Sequence, residues 1–208
     1  SRVSNYDNPI ELSKVAEKLG ELHTCSTGFN INNNMRPRIG WYSWINVFNT
    51  RCSEILDFRN RIYQKAYKSE FDKIYLEHID NEIERGQRAV KGLEENGYFS
   101  LMDIEVKKRG FCHHDFAHHN ILIDKDQQIN IIDFDYCILD THIHDLASLL
   151  IRAMKDGKWS DKTGDLIINS YQETLEVTDE ELKIMKYFIM FPQSFWQIGP
   201  GLPSLELS

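Results

Sequence analysis

The stretch "FCHHDFAHHNILID", residues 111–124, holds four histidines, a cysteine and two aspartates. Its carboxylates and amide fall in an informative order. Asp115 is followed five residues later by Asn120, and beyond a short apolar run by Asp133 and Asp135. Asp and Asn supply hard oxygen ligands, which suit Mg²⁺ and phosphate. When a phosphoryl group is passed to a hydroxyl, a loop Asp accepts or orients the hydroxyl proton. An Asn five residues on binds the metal, and a second Asp beyond a hairpin joins the metal to the nucleotide phosphates. Asp115 and Asn120 alone would read as turn formers. Asp133 and Asp145 behind them turn the reading toward chemistry.

Cys112, His113, His114, His118 and His119 invite a zinc reading, because His and Cys are preferred zinc ligands. Their spacing argues against it: adjacent histidines point apart, no second Cys lies nearby, and neither a CxxC nor an HExxH arrangement is present. His142 and His144, beside a helix start, read as surface or satisfied core histidines and take no role. Asp135 is open between a second metal contact and an outward polar residue on a strand.

These residues need elements to carry them. "ILID" and "QINIIDFDY" are short, Ile-rich and separated by "KDQQ", which predicts a β-hairpin. Folding back brings Asn120 and Asp133 to the same end of it. The catalytic loop and hairpin together take residues 111–136. Elsewhere the period is helical. Asn8 caps a helix with Pro9 at its first position and Glu11 placed for a capping box, and Leu12, Val15, Ala16, Leu19 and Leu22 line one face. Residues 24–40, rich in Asn, Gly, Pro and Arg, read as loop. From Trp41 to Tyr98 two or three helices are expected, ending near Gly97, with "NEIERGQRAVKGLEEN" as a solvated face. Trp41, Tyr42, Trp44 and Phe48 read as core in preference to a substrate groove. Further helices follow on Leu146, Leu149, Leu150 and Ala153, after Ser160, and after a Thr178–Glu181 capping box. The expected fold class is mainly α with a small β-hairpin, residues 1–208 forming one domain.

Composition narrows the function classes. A chain of 208 residues buries roughly 70% of its unfolded surface. A net charge of −8 argues against a nucleic-acid-binding surface, and no apolar run reaches the ~18 residues of a membrane span. Cys25, Cys52, Cys112 and Cys137 are scattered without a CxxC pair, as expected of reduced cytoplasmic thiols. No targeting segment is visible at the start, "SRVSNYDNPIEL".

The set "HHDFAHHNILI…IIDF…HDLA" resembles the catalytic core of the aminoglycoside phosphotransferase and choline kinase-like superfamily, whose pattern is H-x-D-x(4)-N, then I-D-F, then D-L-A. The interval from Asp133 to Asp145 matches. "NPIEL…LGELH…GF", "IIDFDYC…DTHIHDLA" and "FPQSFW" are similar to the CotS-type spore coat proteins of that superfamily. The resemblance covers nearly the whole chain and implies a protein kinase-like C-terminal lobe acting with Mg²⁺ and ATP on a hydroxyl of a small molecule. It makes Asp115 the catalytic base, Asn120 and Asp133 the cofactor and metal ligands, His113 a brace, and Asp145 an acceptor for the loop's backbone. His114 departs from the pattern where many relatives have Gly, and Asp140–Thr141 where many have Gly-Asp. The N-terminal β-rich lobe that clamps nucleotide has no counterpart before Asn8, so ATP is expected to bind only once such a lobe is supplied. The alternative is an inactive kinase-shaped scaffold whose partners are coat proteins. Either form would be cytoplasmic, with deposition in the spore coat.

Overall fold

A computed structural model describes residues 1–199. Eight helices and six very short strands make up the fold of these residues, most of the strands lying between α4 and α5 in the chain order. α1 (Pro9–Ser26) opens as expected, with Asn8 Oδ1 accepting the Ile10 and Glu11 amides. Glu11 does not return to the Asn8 backbone; its Oε2 accepts the Asn5 amide at 3.0 Å and its Oε1 the Asn8 side chain at 3.1 Å. α1 buries Leu12, Val15, Ala16 and Leu19. It runs three residues into the expected loop, which ends in β2 (Arg38–Ile39).

The Trp41–Tyr98 region resolves into α2 (Trp44–Gln64) and α3 (Glu70–Glu95). No proline separates them. α2 ends at its C-cap Lys65, whose backbone is extended, and α3 starts at a reciprocal capping box between Ser69 and Asp72. Trp44 and Phe48 are core residues, Trp41 packs against the core, and Tyr42 stays exposed with its hydroxyl donating to Asp103 at 2.6 Å. Gly97, at φ +90°, ends this region in a left-handed turn that favours glycine. α4 (Tyr98–Lys108), an element not anticipated, begins directly after it and buries Tyr98, Leu101, Met102 and Glu105.

β3 (Phe111–Cys112), β4 (Ile121–Ile123), β5 (Ile129–Ile131) and β6 (Ile138–Leu139) follow. β4 and β5 form the expected antiparallel hairpin, with Ile121 opposite Ile131 and Ile123 opposite Ile129. β1 (Arg2–Val3) adds a third strand antiparallel to β4. A second sheet, in the order β2-β6-β3, closes behind the loop. α5 (Ile143–Met154), α6 (Asp161–Gln172), α7 (Asp179–Met190) and α8 (Gln193–Gln197) complete the fold. Ser160 holds the capping position of α6 without a side-chain bond, whereas the Thr178–Glu181 box of α7 is complete.

The main core joins α1, the start of α2, the end of α3, and α4 to α7. A smaller cluster, Ile55, Phe58, Ile62, Tyr75, Ile79 and Ile83, seals the far ends of α2 and α3, with Phe195 and Trp196 against it. No helix of the described residues is long and apolar enough to cross a membrane.

Candidate active site

The loop between β3 and β4 carries Asp115 and Asn120, Asp133 and Asp135 lie beyond β5, and Asp145 in the first turn of α5 holds the loop. Asp145 is fully buried. Its Oδ2 accepts the His113 amide at 2.6 Å and its Oδ1 the His114 amide at 2.9 Å. His23 Nε2 lies 3.2 Å from Oδ2 and His144 Nδ1 3.3 Å from Oδ1. Burial alone would raise the carboxyl's pKa. The hydrogen bonds from His144 and His23 outweigh it and hold the group well below the usual carboxylate range. His23 Nδ1 meets the Tyr171 hydroxyl at 2.6 Å, so α1, α5 and α6 meet at this carboxylate.

His113 makes the bracing contact expected of it. Its Nε2 lies 2.9 Å from the Ile132 carbonyl, and a carbonyl only accepts, so Nε2 carries the proton. The ring packs on Phe134 at 4.8 Å. His114 stands at φ +68°, the conformation in which a glycine is unstrained. Its ring stacks on His144 at 4.4 Å, and that contact with the bond to Asp145 offsets the backbone cost. The Asp140–Thr141 departure is accommodated too: Asp140 Oδ1 accepts the Thr141 amide at 2.8 Å and Oδ2 the Trp44 indole N–H at 2.9 Å. Gly40 makes room, since a Cβ there would lie 2.7 Å from Asp140 Oδ2.

Asp115 and Asn120 are brought together. Asn120 Nδ2 donates to the Asp115 carbonyl at 3.0 Å and to Asp115 Oδ2 at 3.1 Å. Arg152 Nη2 donates to Asp115 Oδ1 at 2.9 Å, and His119 Nε2 lies 3.9 Å from Oδ2. Asn120 has spent its N–H group, and no hydrogen bond reaches its Oδ1 among the described residues. The hairpin register sets Asp133 nearby: the Ile132 amide donates to the Asn120 carbonyl at 3.0 Å, so Asp133 stands one residue beyond the partner of Asn120. Asp133 has φ +63°, is exposed, and makes no hydrogen bond or ion pair among the described residues. Asp135 is exposed as well, two residues farther along. The free oxygens of Asn120 and Asp133 fit a hard divalent cation, the donor chemistry that Mg²⁺ takes.

Arg152 went unrecognised in the sequence, although it lies seven residues after Asp145. That spacing is two helical turns and puts both residues on one side of α5. The bracing by the chain's first residues was hidden as well: the Ser4 amide donates to the Ile121 carbonyl at 2.9 Å, and the Ser4 hydroxyl to the His118 carbonyl at 3.3 Å. Beside Arg152 a hollow of about 180 Å³ is lined by Tyr6, Asp7, His118, Lys155 and Lys158.

A sequence profile described as the phosphotransferase enzyme family matches residues 12–183, which includes the loop, the hairpin and Asp145. The chain belongs to the phosphotransferase enzyme family. This member is similar to spore coat protein S of Bacillus subtilis, at 22% identity over 195 residues covering 93% of the chain and 55% of that protein. Its fold is similar to that of an aminoglycoside phosphotransferase from Alicyclobacillus acidocaldarius, with a TM-score of 0.83 at 19% identity over 95% of this chain and 57% of the other. Plasmodium vivax ethanolamine kinase is a more distant fold relative, with a TM-score of 0.50 at 21% identity, covering 93% and 52%. The phosphotransferase-family chain thus spans a little over half the length of each of these proteins.

Proposed function

We propose that this chain is the helical C-terminal catalytic lobe of an ATP-dependent phosphotransferase that phosphorylates a hydroxyl of a small molecule, in a protein associated with the spore coat. The observation that carries this reading is the hairpin end, where Asn120 and Asp133 present uncommitted oxygens beside a carboxylate, Asp115, already fixed in place. Asn120 and Asp133 would hold Mg²⁺, with Asp135 as a further contact. Bound there, Mg²⁺ supplies charge neutralisation to nucleotide phosphates. Asp115 orients the substrate hydroxyl and takes its proton as the oxygen becomes a nucleophile. Arg152 and Asn120 keep the Asp115 carboxylate from turning away. The adenine and the outer phosphates need a β-rich lobe in the remainder of the protein.

A second reading has its own observation. Both oxygens of Asp115 are engaged, Oδ1 by Arg152 and Oδ2 by Asn120, which is how a retired catalytic residue would be kept as a structural one. In this reading the protein is an inactive kinase-shaped scaffold among coat proteins. The deciding experiment is calorimetric titration with Mg-ATP of this chain and of a longer protein that includes the nucleotide lobe. The catalytic reading expects weak or absent binding to the 208-residue chain and clear binding, with turnover of a hydroxyl substrate, in the longer one. Failure of the longer protein to bind Mg-ATP leaves the scaffold reading.

A further inference from the structure

Away from the loop, the segments around α4, α5 and α7 bring Glu105, His142 and Glu181 together in the core, at 2%, 7% and 5% exposure. One ligand-capable atom of each lies within 4.8 Å of the others. His142 Nε2 is buried with no hydrogen-bond partner. The facing Glu181 Oε1 is 3.6 Å away, beyond hydrogen-bond length. Glu181 uses Oε2 for the α7 cap, accepting the Thr178 amide at 2.8 Å and hydroxyl at 3.2 Å. Its Oε1 receives no hydrogen bond among the described residues.

The plainer account makes Lys108 the counter-ion. Its Nζ lies 2.7 Å from Glu105 Oε1 but 4.0 Å from Glu181 Oε1, so it satisfies one carboxylate and leaves the orphaned imidazole nitrogen unexplained. A buried polar atom without a partner costs about 1–3 kcal/mol. The other buried cluster of this kind, His23, Cys112 and Asp145, differs. There the Cys112 thiol donates to the Thr141 carbonyl at 3.0 Å, and both nitrogens of His23 have partners.

We propose that Glu105, His142 and Glu181 form a binding site for a zinc-class divalent cation, with Lys108 withdrawing to solvent as the metal enters. One imidazole nitrogen and two carboxylate oxygens are a donor set that zinc accepts, whereas Mg²⁺ prefers oxygen alone. Two carboxylates balance a doubly charged ion without the ammonium. The Lys108 side chain is 42% exposed and has water to withdraw into. A cavity of about 220 Å³, lined by Glu105, Lys108, His142 and Phe111 among others, gives access and leaves room for water as a fourth ligand. The ion would staple three parts of the core, so it binds the folded chain in preference to the unfolded one.

The test is calorimetric titration of chelator-treated protein with Zn²⁺, paired with melting curves with and without the metal. One zinc per chain is expected, with a higher melting temperature and affinity at least tenfold weaker in Glu105→Gln and His142→Gln. His118→Gln, in the histidine-rich loop, should leave it unchanged. Lys108→Met removes the competing ammonium and should tighten zinc severalfold, and this comparison stands even where a ligand variant folds poorly. The proposal is overturned by a wild-type chain that takes up no zinc, by a zinc that vanishes in His118→Gln, or by Lys108→Met binding zinc no better than wild type.

Discussion

Asp145 and Arg152 lie seven residues apart on α5, and both grip the same loop: Asp145 accepts the amides of His113 and His114, and Arg152 donates to the carboxylate of Asp115. One rigid helix therefore fixes the backbone at the start of the loop and the side chain at its centre. The geometry of Asp115 is thus referred to α5 on one side and, through Asn120, to the base of the hairpin on the other.

Removing the first grip should unfold the chain before it affects chemistry. Asp145→Ala leaves two amides and two histidines without their acceptor in the core, and breaking such a buried network costs about 3–5 kcal/mol. At about 2–4 °C per kcal/mol for a domain of this size, the melting temperature should fall by roughly 6–20 °C. A melting curve within a degree of wild type would refute the anchoring role.

In a longer protein that turns over, Asp115→Asn should lower kcat by roughly 10²- to 10⁴-fold with nucleotide affinity nearly unchanged. Asp133→Ala should weaken Mg-nucleotide affinity as well as kcat, and raised Mg²⁺ should partly rescue Asn120→Ala. Steady-state kinetics across a Mg²⁺ series separates the three. Equal losses that Mg²⁺ never alters would contradict the division of roles.

Acid should destabilise the metal-free chain through His142, against an opposing contribution from Glu105 and Asp140, whose carboxyl pKa values burial raises. Burial, then the nearby His23 and Lys108, push its pKa down from 6.5 to about 3, against a smaller opposing pull from Asp145. Glu181 and Glu105 also face it, and Tyr171 stacks on its ring. Between these pH values the unfolded chain binds a proton that the folded chain refuses, so stability falls as pH drops below about 6.5, by about 1.4 kcal/mol per pH unit from this group. Asp145, with its folded pKa lowered, adds to the loss only as pH falls below about 4. Urea denaturation from pH 8 to 5 checks the sign, and His142→Gln should flatten the slope.

Trp44→Phe tests the link between α2 and the β6–α5 corner. The indole N–H is the donor to Asp140 Oδ2, inside the core. Its loss should cost about 1–3 kcal/mol in chemical denaturation, and Trp44→Phe with Asp140→Asn should be less than additive. Full additivity would mean that the two residues are not coupled.

What was legible in the sequence was local or fixed by interval. The Thr178–Glu181 box, the apolar face of α1 and the hairpin of β4 and β5 are each encoded within a few residues. The interval from Asp115 to Asn120 to Asp133 was visible because one hairpin carries it. β1, β2, β3 and β6, each of two residues, were not, since such strands exist only through partners distant in the chain, as when Arg38 meets Ile138. α4 escapes a pattern reading because it begins directly after the Gly97 turn, which reads as the end of a helical region. Arg152 was missed because its partner Asp115 stands 37 residues away, a distance that no local pattern records.

The relay from Tyr171 through His23 to Asp145 also constrains the order of assembly. Its members are separated by 148 and 122 residues, so the ring of His23 cannot be held from both sides until α6 has emerged from the ribosome and packed on α1. Contacts of such long range form late, because the chain entropy lost in closing them is recovered only after the intervening elements are in place. A nascent chain stalled before α6 would already contain Asp145, which accepts the loop's amides, but not the Tyr171 hydroxyl that fixes the His23 ring behind it.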